Sequence, residues 1–254
     1  MNQPTYDEYV YKYSGGLGTY CAKHKPFAVY CEEVNKTFFC YGGTTKDSYR
    51  KLLHMVSFYD HETGTVPRPT ILLDKKTDDA HDNPVISMDD QGYIWIFSTS
   101  HGRSRPSYIH RSKKPYDIDE FELVNPTRLK NGKPVPMTNF SYMQAWHCPK
   151  KGFICFFTYY DYPAKRTICF MTSSDGIRWS EWIRLAAIDE GHYQISAVSE
   201  EKAGTAFNFH PEGKGLNWRT NLYYIETHDF GKTWQTVDGE ILTLPLKEIN
   251  NPAL

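Results

Sequence analysis

The feature that most constrains the fold is one pattern that occurs four times along the chain. In each copy a short apolar run, a polar turn and a second apolar run follow one another, as the two strands of a hairpin do. The copies begin at residues 24, 81, 140 and 192, so successive starts are 57, 59 and 52 residues apart. Four-stranded propeller blades with long loops have about this period. The recurrence predicts an all-β chain built as a propeller.

The second copy is the most informative, because a histidine stands at each end of its hairpin. The runs PVISM and YIWIF predict two strands, and DDQG predicts the turn between them. Strands rise about 3.3 Å per residue, so two strands of similar length bring the chain back to its starting edge. His81 and His101 are therefore expected on the same side of the sheet.

Side chains of similar chemistry recur at the corresponding place in the other copies. His24 and His192 precede the first strands of copies one and four, and Tyr142 takes this place in copy three. Histidine and tyrosine can both transfer protons. Unrelated loop histidines would rarely recur at the same position in successive copies. We predict catalytic roles for His24, His81, His101 and Tyr142, and substrate binding for His192.

Two further motifs predict tight turns between strands. THDFGKTW contains Asp229, and SSDGIRW, one residue shorter, contains Asp175. The aspartate can accept hydrogen bonds from its own turn, the glycine supplies a positive φ, and the tryptophan packs under the hairpin. We expect these motifs to be structural.

Arginines and carboxylates lie close to the predicted histidine site. Arg103 follows His101 by two residues, and Arg166 and Arg219 lie in later copies, where each could bind a substrate carboxylate. The acidic residues around His81 suggest a metal, but no spaced ligand series such as an EF-hand loop is present. We expect them to orient His81 or cap its turn, and predict no metal or cofactor, although Ca²⁺ remains compatible.

Composition excludes some classes of function. The net charge of −1 argues against a nucleic-acid surface, and no apolar run approaches the ~18 residues of a membrane span. The first residues lack the form of a signal peptide, which indicates a cytosolic protein or a mature chain. The six cysteines contain no CxxC pair and are expected to be buried thiols, with a Cys31–Cys40 pair as the alternative.

Length sets the expected number of blades. At roughly 55 residues per blade, 254 residues supply four to five blades. We expect one propeller domain over residues 1–254, incomplete at its C-terminus.

The segments YSGGLGTYCAKHKPFAVY and HDNPVIS…GYIWIFSTSHG resemble parts of the BNR-repeat propellers of the sialidase superfamily. The turn motifs THDFGKTW and SSDGIRW resemble the Asp-box motifs of the same propellers. The particular resemblance is to members that act on terminal L-rhamnose-α-1,4-D-glucuronate in arabinogalactan and gum arabic, and more distantly to ulvan lyases. It implies a seven-bladed propeller, a uronate-containing glycan substrate, and a secreted or periplasmic location. The oligomeric state stays open.

The resemblance also implies a lyase site made of two histidines twenty residues apart, a tyrosine in the next blade and an arginine on the following strand. His81, His101 and Tyr142 match these positions, but Thr158 and Tyr159 stand where the arginine is expected. Arg103, Arg166 or Arg219 would have to replace it. Some relatives are rhamnosidases that use one histidine on the opposite face, to which His24 corresponds.

β-Elimination at a 4-linked uronate needs a base for H5, an acid for the leaving O4 and a cation beside the carboxylate. We predict that His81 and Tyr142 form the base and acid pair, and that His101 and an arginine hold the carboxylate. The alternatives are hydrolysis of the same linkage through His24, glycan binding without catalysis, and a purely structural interaction domain.

Overall fold

The computed structural model describes residues 9–11, 23–45, 48–160 and 166–254. The YSGGLGTY motif and Cys21 lie outside the described residues. The chain divides into two compact units, residues 1–124 and 125–254. The prediction of one domain over the whole chain stays a prediction.

The first unit is built from nine strands and two short 3₁₀ helices among its described residues. The strands are β1 Tyr9–Tyr11, β2 Ala28–Cys31, β3 Lys36–Thr45, β4 Ser48–Asp60, β5 Thr70–Asp74, β6 Pro84–Met88, β7 Ile94–Ser98, β8 Tyr108–Ser112 and β9 Phe121–Val124. The 3₁₀ helices are Glu32–Val34 and Ala80–Asp82. One sheet has the order β1-β3-β4-β5, with β2 also paired to β3, and the other is the four-stranded β6-β7-β8-β9.

The second unit continues the same kind of structure with ten strands among its described residues. They are β10 Thr127–Lys130, β11 Lys133–Pro136, β12 Ser141–Cys148, β13 Gly152–Tyr159, β14 Thr167–Ser173, β15 Arg178–Trp179, β16 Ile183–Ala186, β17 Gln194–Val198, β18 Ala203–Phe209 and β19 Thr220–Thr227. A 3₁₀ helix covers Leu216–Trp218. The sheet orders are β12-β13-β14-β16, β17-β18-β19 and β11-β10-β15.

All four predicted hairpins are present. They are β2–β3, β6–β7, β12–β13 and β17–β18, and each pair is antiparallel. The strands form because β-branched and aromatic residues dominate them, and the run of buried positions in β6 and β7 shows that both faces of these strands are covered. The predicted all-β fold with four-stranded antiparallel sheets is confirmed.

The two Asp-box motifs form the turns that the sequence predicts. Asp175 accepts hydrogen bonds from the backbone N–H groups of Ile177 and Arg178, and Asp229 accepts one from Thr233. Trp179 and Trp234 are 2% and 3% exposed, so both indoles are buried beneath their turns. The structural interpretation of these motifs is confirmed.

Each unit has its own apolar core. In the first unit it contains Phe38, Val56, Ile86 and Ile96. In the second, a larger cluster places Trp234 edge-on against Phe156 and Phe170, with ring centroids 6.0 and 5.0 Å away. Burial of these side chains is the main driving force for stacking neighbouring sheets within a unit.

The five cysteines within the described residues are free thiols. The alternative pairing of Cys31 with Cys40 is wrong, because Cys31 lies opposite Lys36 in the β2–β3 register and Cys40 lies beyond the other end of that pairing. The Cys31 thiol donates instead to a carboxylate oxygen of Glu33 at 3.0 Å. In the part of the chain that the structure describes, no helix is long and apolar enough to span a bilayer.

Candidate active site

The predicted histidine pair lies at one edge of the β6–β7 hairpin. Pro84, the first residue of β6, is paired with Ser98, the last residue of β7. His81 precedes the first by three residues and His101 follows the second by three, so the hairpin brings both to the same edge. Their rings stack with centroids 4.3 Å apart and an interplanar angle of 22°. The predicted proximity is confirmed.

Asp79 holds both rings. It precedes the short helix Ala80–Asp82, and its Oδ1 accepts from the His81 backbone N–H at 3.0 Å, which caps the helix. The same Oδ1 lies 2.6 Å from His81 Nδ1, and Oδ2 lies 2.8 Å from His101 Nδ1. Because an ionised carboxylate only accepts, both Nδ1 atoms are assigned as protonated. In each neutral ring Nε2 then carries the lone pair.

Asp79 is itself fixed by Arg105. One guanidinium nitrogen of Arg105 lies 2.7 Å from Asp79 Oδ2, and the same group makes two 2.8 Å bonds to Asp82. Asp82 is fully buried and also lies 3.5 Å from Lys75 Nζ. Burial lowers the pKa of Lys75 to about 8, against the opposing effect of Asp82. The result is a charged network behind the two histidines.

The electrostatics keep His81 neutral near pH 7. Burial lowers the pKa of His81, and the Asp79 hydrogen bond opposes this effect without reversing it. Burial disfavours the Asp79 carboxylate, but hydrogen bonds from His101 and His81 hold the pKa of Asp79 well below its usual range. The His81 and His101 side chains are 28% and 33% exposed. Both imidazoles are therefore partly open to solvent, and imidazole is a group that can transfer protons near neutral pH.

Asp79, His81 and His101 could also surround a metal ion, since one ligand atom from each lies within 4.8 Å of the others. Imidazole and carboxylate groups are common ligands of transition metals. Two features oppose this interpretation. Both Nδ1 atoms lie at hydrogen-bond distance from Asp79 oxygens, and the Arg105 cation shares Oδ2. This geometry fits a hydrogen-bonded proton-transfer group better than a cation site.

A second cluster lies in the unit of residues 125–254 and contains Tyr142. A bulge in β12 gives Tyr142 a φ of 50°, and its side chain is 2% exposed. Its ring packs edge-on against Tyr193, with centroids 5.8 Å apart, and Tyr160 OH donates to its hydroxyl at 3.5 Å. Burial raises the pKa of Tyr160, and Tyr142 and Arg166 oppose this shift.

Arg166 and Arg219 both lie over Tyr193, 5.6 and 4.5 Å from its ring centroid. Arg166 also lies 3.2 Å from Nδ1 of His210, and its buried Nε–H has no hydrogen-bond partner among the described residues. A guanidinium with an unsatisfied buried N–H is suited to donate a hydrogen bond to an anionic oxygen. The cluster therefore combines a phenol with two cations, as carboxylate recognition beside a proton donor requires.

The other predicted site residues are placed differently. His24 and His192 have no exposed surface. His192 Nε2 accepts from the Ile188 N–H at 2.9 Å, and Nδ1 lies 2.7 Å from the Asn208 carbonyl oxygen, so neither ring nitrogen of His192 is available to substrate. Arg103 is exposed in the loop after β7.

Sequence reasoning gave too little weight to two residues. Arg103 is the arginine that the sequence predicts in this loop, but it is Arg105 that bonds to both aspartates. Tyr193 was missed, although it follows His192 directly and carries both arginines of the second cluster.

The second unit also contains a cleft between its turns. It is lined by Cys148, Lys150, Lys202 and His228, among others. Glu226 next to it is buried and bonded to Lys202, Tyr224 and His228 at 2.6, 2.8 and 2.9 Å. None of the residues that the sequence predicts for the site lines this cleft.

Two curated relatives of this chain are ulvan lyases. The enzyme named ulvan lyase PL25 from Pseudoalteromonas sp. (strain PLSV) is 24% identical over 265 residues, which covers 83% of this chain and 48% of the relative. The ulvan lyase of Nonlabens ulvanivorans is 25% identical over 288 residues, which covers 96% of this chain and 57% of the relative. The chain thus spans about half the length of the curated relatives it matches.

Solved structures show the same relationship at the level of the fold. A PL25 ulvan lyase superposes with a TM-score of 0.69 at 20% identity, covering 89% of this chain and 56% of the other. The polysaccharide lyase Uly1 superposes with a TM-score of 0.64 at 11% identity, covering 93% of this chain and 58% of the other.

The sheets and these superpositions define an all-β protein of the propeller type. The chain belongs to the BNR repeat-containing family, which it matches over residues 54–253. The resemblance predicted from the sequence is confirmed at this level.

Proposed function

We propose that this protein is a polysaccharide lyase that cleaves a 4-linked glucuronate glycan by β-elimination, with L-rhamnose-α-1,4-D-glucuronate as its preferred linkage. The single observation that carries the proposal is the stacked pair of His81 and His101, with both Nδ1 atoms held by Asp79. The similarity to ulvan lyases supports the reaction class. One related structure is described as bound to -[GlcA(1-4)Rha3S]-, which supports the choice of sugars.

The reaction uses the histidines as base and acid. One imidazole Nε2 removes H5 of the uronate, and the electron pair of the broken C5–H bond forms the C4=C5 double bond. The C4–O4 bond breaks, and the second imidazole gives a proton to O4 of the leaving rhamnose. Positioned acid and base groups of this kind contribute about 10²–10⁴-fold each to the rate. The products are a rhamnose terminus and a 4,5-unsaturated glucuronate.

The tyrosine and arginine cluster of the second unit has a separate role in the proposal. Arg166 and Arg219 recognise the carboxylates of an acidic glycan, and Arg103 serves the same purpose on its exposed loop. Tyr142, which the sequence predicts as the acid, is 2% exposed, so its geometry supports that role less than the geometry of the histidine pair does. A glycan chain presents a carboxylate on every uronate, so more than one arginine can bind it. Substituting Arg103, Arg166 and Arg219 one at a time tests the contribution of each.

Hydrolysis through His24 receives less support from the geometry. The His24 side chain has no exposed surface and packs near Phe27, with ring centroids 6.5 Å apart. A catalytic group has to touch the reacting atoms, which a fully covered ring does not do in this conformation. His192 is covered in the same way.

The test is incubation of the purified protein with rhamnose-capped glucuronate oligosaccharides from gum arabic and, in parallel, with ulvan. Released rhamnose and the ultraviolet absorbance of the unsaturated uronate are followed together. Absorbance with cleavage of either substrate supports the lyase and identifies its preferred glycan. Rhamnose without absorbance would overturn elimination in favour of hydrolysis.

A matched binding assay separates catalysis from recognition. The variants His81→Gln and His101→Gln are expected to bind the glycan but not to cleave it. If wild-type protein binds glycan and cleaves nothing, the protein is a glycan-binding propeller and the lyase proposal fails. A substrate of this kind is a cell-wall or matrix polymer, which accords with the predicted secreted or periplasmic location.

A further inference from the structure

We infer that Asp79 joins His81 and His101 into one unit that shares a single catalytic proton, so that base and acid are interchangeable members of the pair. This inference deepens the proposed lyase and rests on it. It assigns to Asp79 a positioning role, since the carboxylate acts through the two imidazoles. The observation is that two oxygens of one side chain hold the same nitrogen of both rings.

The two histidines are held in nearly equivalent ways. The Asp79 contacts differ by only 0.2 Å, at 2.6 and 2.8 Å, and the rings are almost parallel. Both Nδ1–H groups point at one carboxylate, so the two Nε2 atoms lie on the opposite side of the rings. The two rings therefore contact one anion in nearly the same geometry, and this geometry does not fix either ring as the acid.

The charges around the pair favour one added proton and disfavour two. Asp79 is the anion in direct contact with the rings, and Asp82 lies behind it. The opposing cations are Arg105, which bonds both aspartates, Lys75 on Asp82, and Lys23, which repels a charged His81. One imidazolium is balanced by Asp79. A second imidazolium would lie 4.3 Å from the first and would face these cations, while the single charge of Asp79 is already balanced by the first.

A shared proton suits elimination, because the reaction takes one proton from carbon and returns one to oxygen. The reaction starts from the state of the pair that has one neutral and one protonated ring. The neutral ring accepts H5 while the protonated ring donates to O4, so the pair ends with the same total number of protons and with the charge on the other ring. Asp79 contacts both rings, so it stabilises the charge before and after transfer.

The decisive variants are Asp79→Ser and Asp79→Asn, with Asp78→Asn as the matched control. Serine and asparagine can both cap the short helix, so the backbone is retained. Serine offers one oxygen on a shorter side chain in place of the two carboxylate oxygens that contact the two rings, and the asparagine amide forces one ring into the other tautomer. We expect kcat to fall about 100-fold or more in both variants, with KM within about threefold. Asp78 is exposed and its variant removes the same charge, so its kcat is expected to stay within about twofold of wild type.

A second measurement does not depend on activity. Nitrogen NMR of labelled imidazoles, assigned with His81→Gln and His101→Gln, reports which ring nitrogen carries the proton. In the wild type both rings are expected to show Nδ1–H, and the pair is expected to take up its two protons in well-separated steps. In Asp79→Ser this common tautomer is lost.

The two measurements separate the inference from the proposed function. If wild-type protein cleaves no glycan but NMR shows the shared tautomer and split titration, the lyase is wrong and the proton-sharing pair stands. If the enzyme is active and Asp79→Ser matches Asp78→Asn in kcat, the inference is wrong. Two independent protonations with the same midpoint in the wild type would also overturn it.

Discussion

His81 and His192 hold corresponding places in two copies of the same hairpin, yet the structure uses them in opposite ways. Each precedes the first strand of its hairpin, β6 or β17. The His81 side chain is 28% exposed and contacts a carboxylate, whereas His192 is fully buried and its ring nitrogens contact the backbone of Ile188 and Asn208. Position within the repeat therefore does not decide whether such a histidine is available for chemistry.

The difference comes from the residues just before each histidine. Asp79 caps a short helix and turns its carboxylate toward the ring of His81. Before His192, the turn at Gly191 brings the chain close to Arg166, where a Cβ on Gly191 would lie 2.4 Å from a backbone oxygen. The ring is then enclosed by its own backbone. An acidic neighbour and partial exposure, rather than position within the repeat, distinguish His81, the histidine that we propose as catalytic, from His192.

The largest effect that would test this contrast is on activity. We expect His81→Gln and His101→Gln each to lower kcat/KM by about 10²–10⁴-fold, because each removes one proton-transfer group. Thermal stability should change little, since both side chains are partly exposed. Kinetics on the glucuronate oligosaccharide measure the first quantity and calorimetry the second.

His61→Gln is the control for these substitutions. His61 is an exposed histidine whose ring lies 2.8 Å from the Thr37 hydroxyl and edge-on to Tyr59. Its variant is expected to keep full activity. Equal losses in all three variants would show that the assay reports general damage, and the contrast with His192 would lose its meaning.

The next effect is the pH dependence of folding stability. Burial lowers the pKa of His192 to about 4 and that of His110 to about 4, against an unfolded value near 6.5. Between these values the unfolded chain binds more protons than the folded one, so the free energy of unfolding falls as pH decreases from 6.5 to 4. A shift of this size corresponds to about 3 kcal/mol for His192. Urea unfolding at pH 7, 5.5 and 4 measures the loss, and a flat profile would contradict the assignment of neutral buried rings.

Much of the fold followed from the sequence, because hairpins are local and their strands carry alternating or continuous apolar residues. The β6–β7 hairpin, the meeting of His81 with His101 and both Asp-box turns could all be read from short segments. The environments of His24 and His192 could not, because burial depends on residues distant in sequence, such as Asn208 around His192. The same holds for Arg105, whose contact with Asp79 spans 26 residues.

The smallest predicted effect concerns His192 and sharpens the contrast with His81. In His192→Gln the amide can replace only one of the two backbone contacts, with Ile188 or with Asn208, because glutamine lacks the geometry of two opposed ring nitrogens. One buried backbone group loses its partner, which costs about 1–3 kcal/mol of unfolding free energy at pH 7. Activity per folded molecule should stay unchanged.

The pH profile of this variant gives a second, independent reading. Glutamine does not titrate, so His192→Gln should lose less stability than wild type between pH 6.5 and 4, and the two unfolding curves should converge as the pH falls. Loss of glycan cleavage in a folded His192→Gln protein would contradict the structural role of His192. It would return this histidine to the substrate-binding role that its place in the repeat predicts, and burial would then no longer separate it from His81.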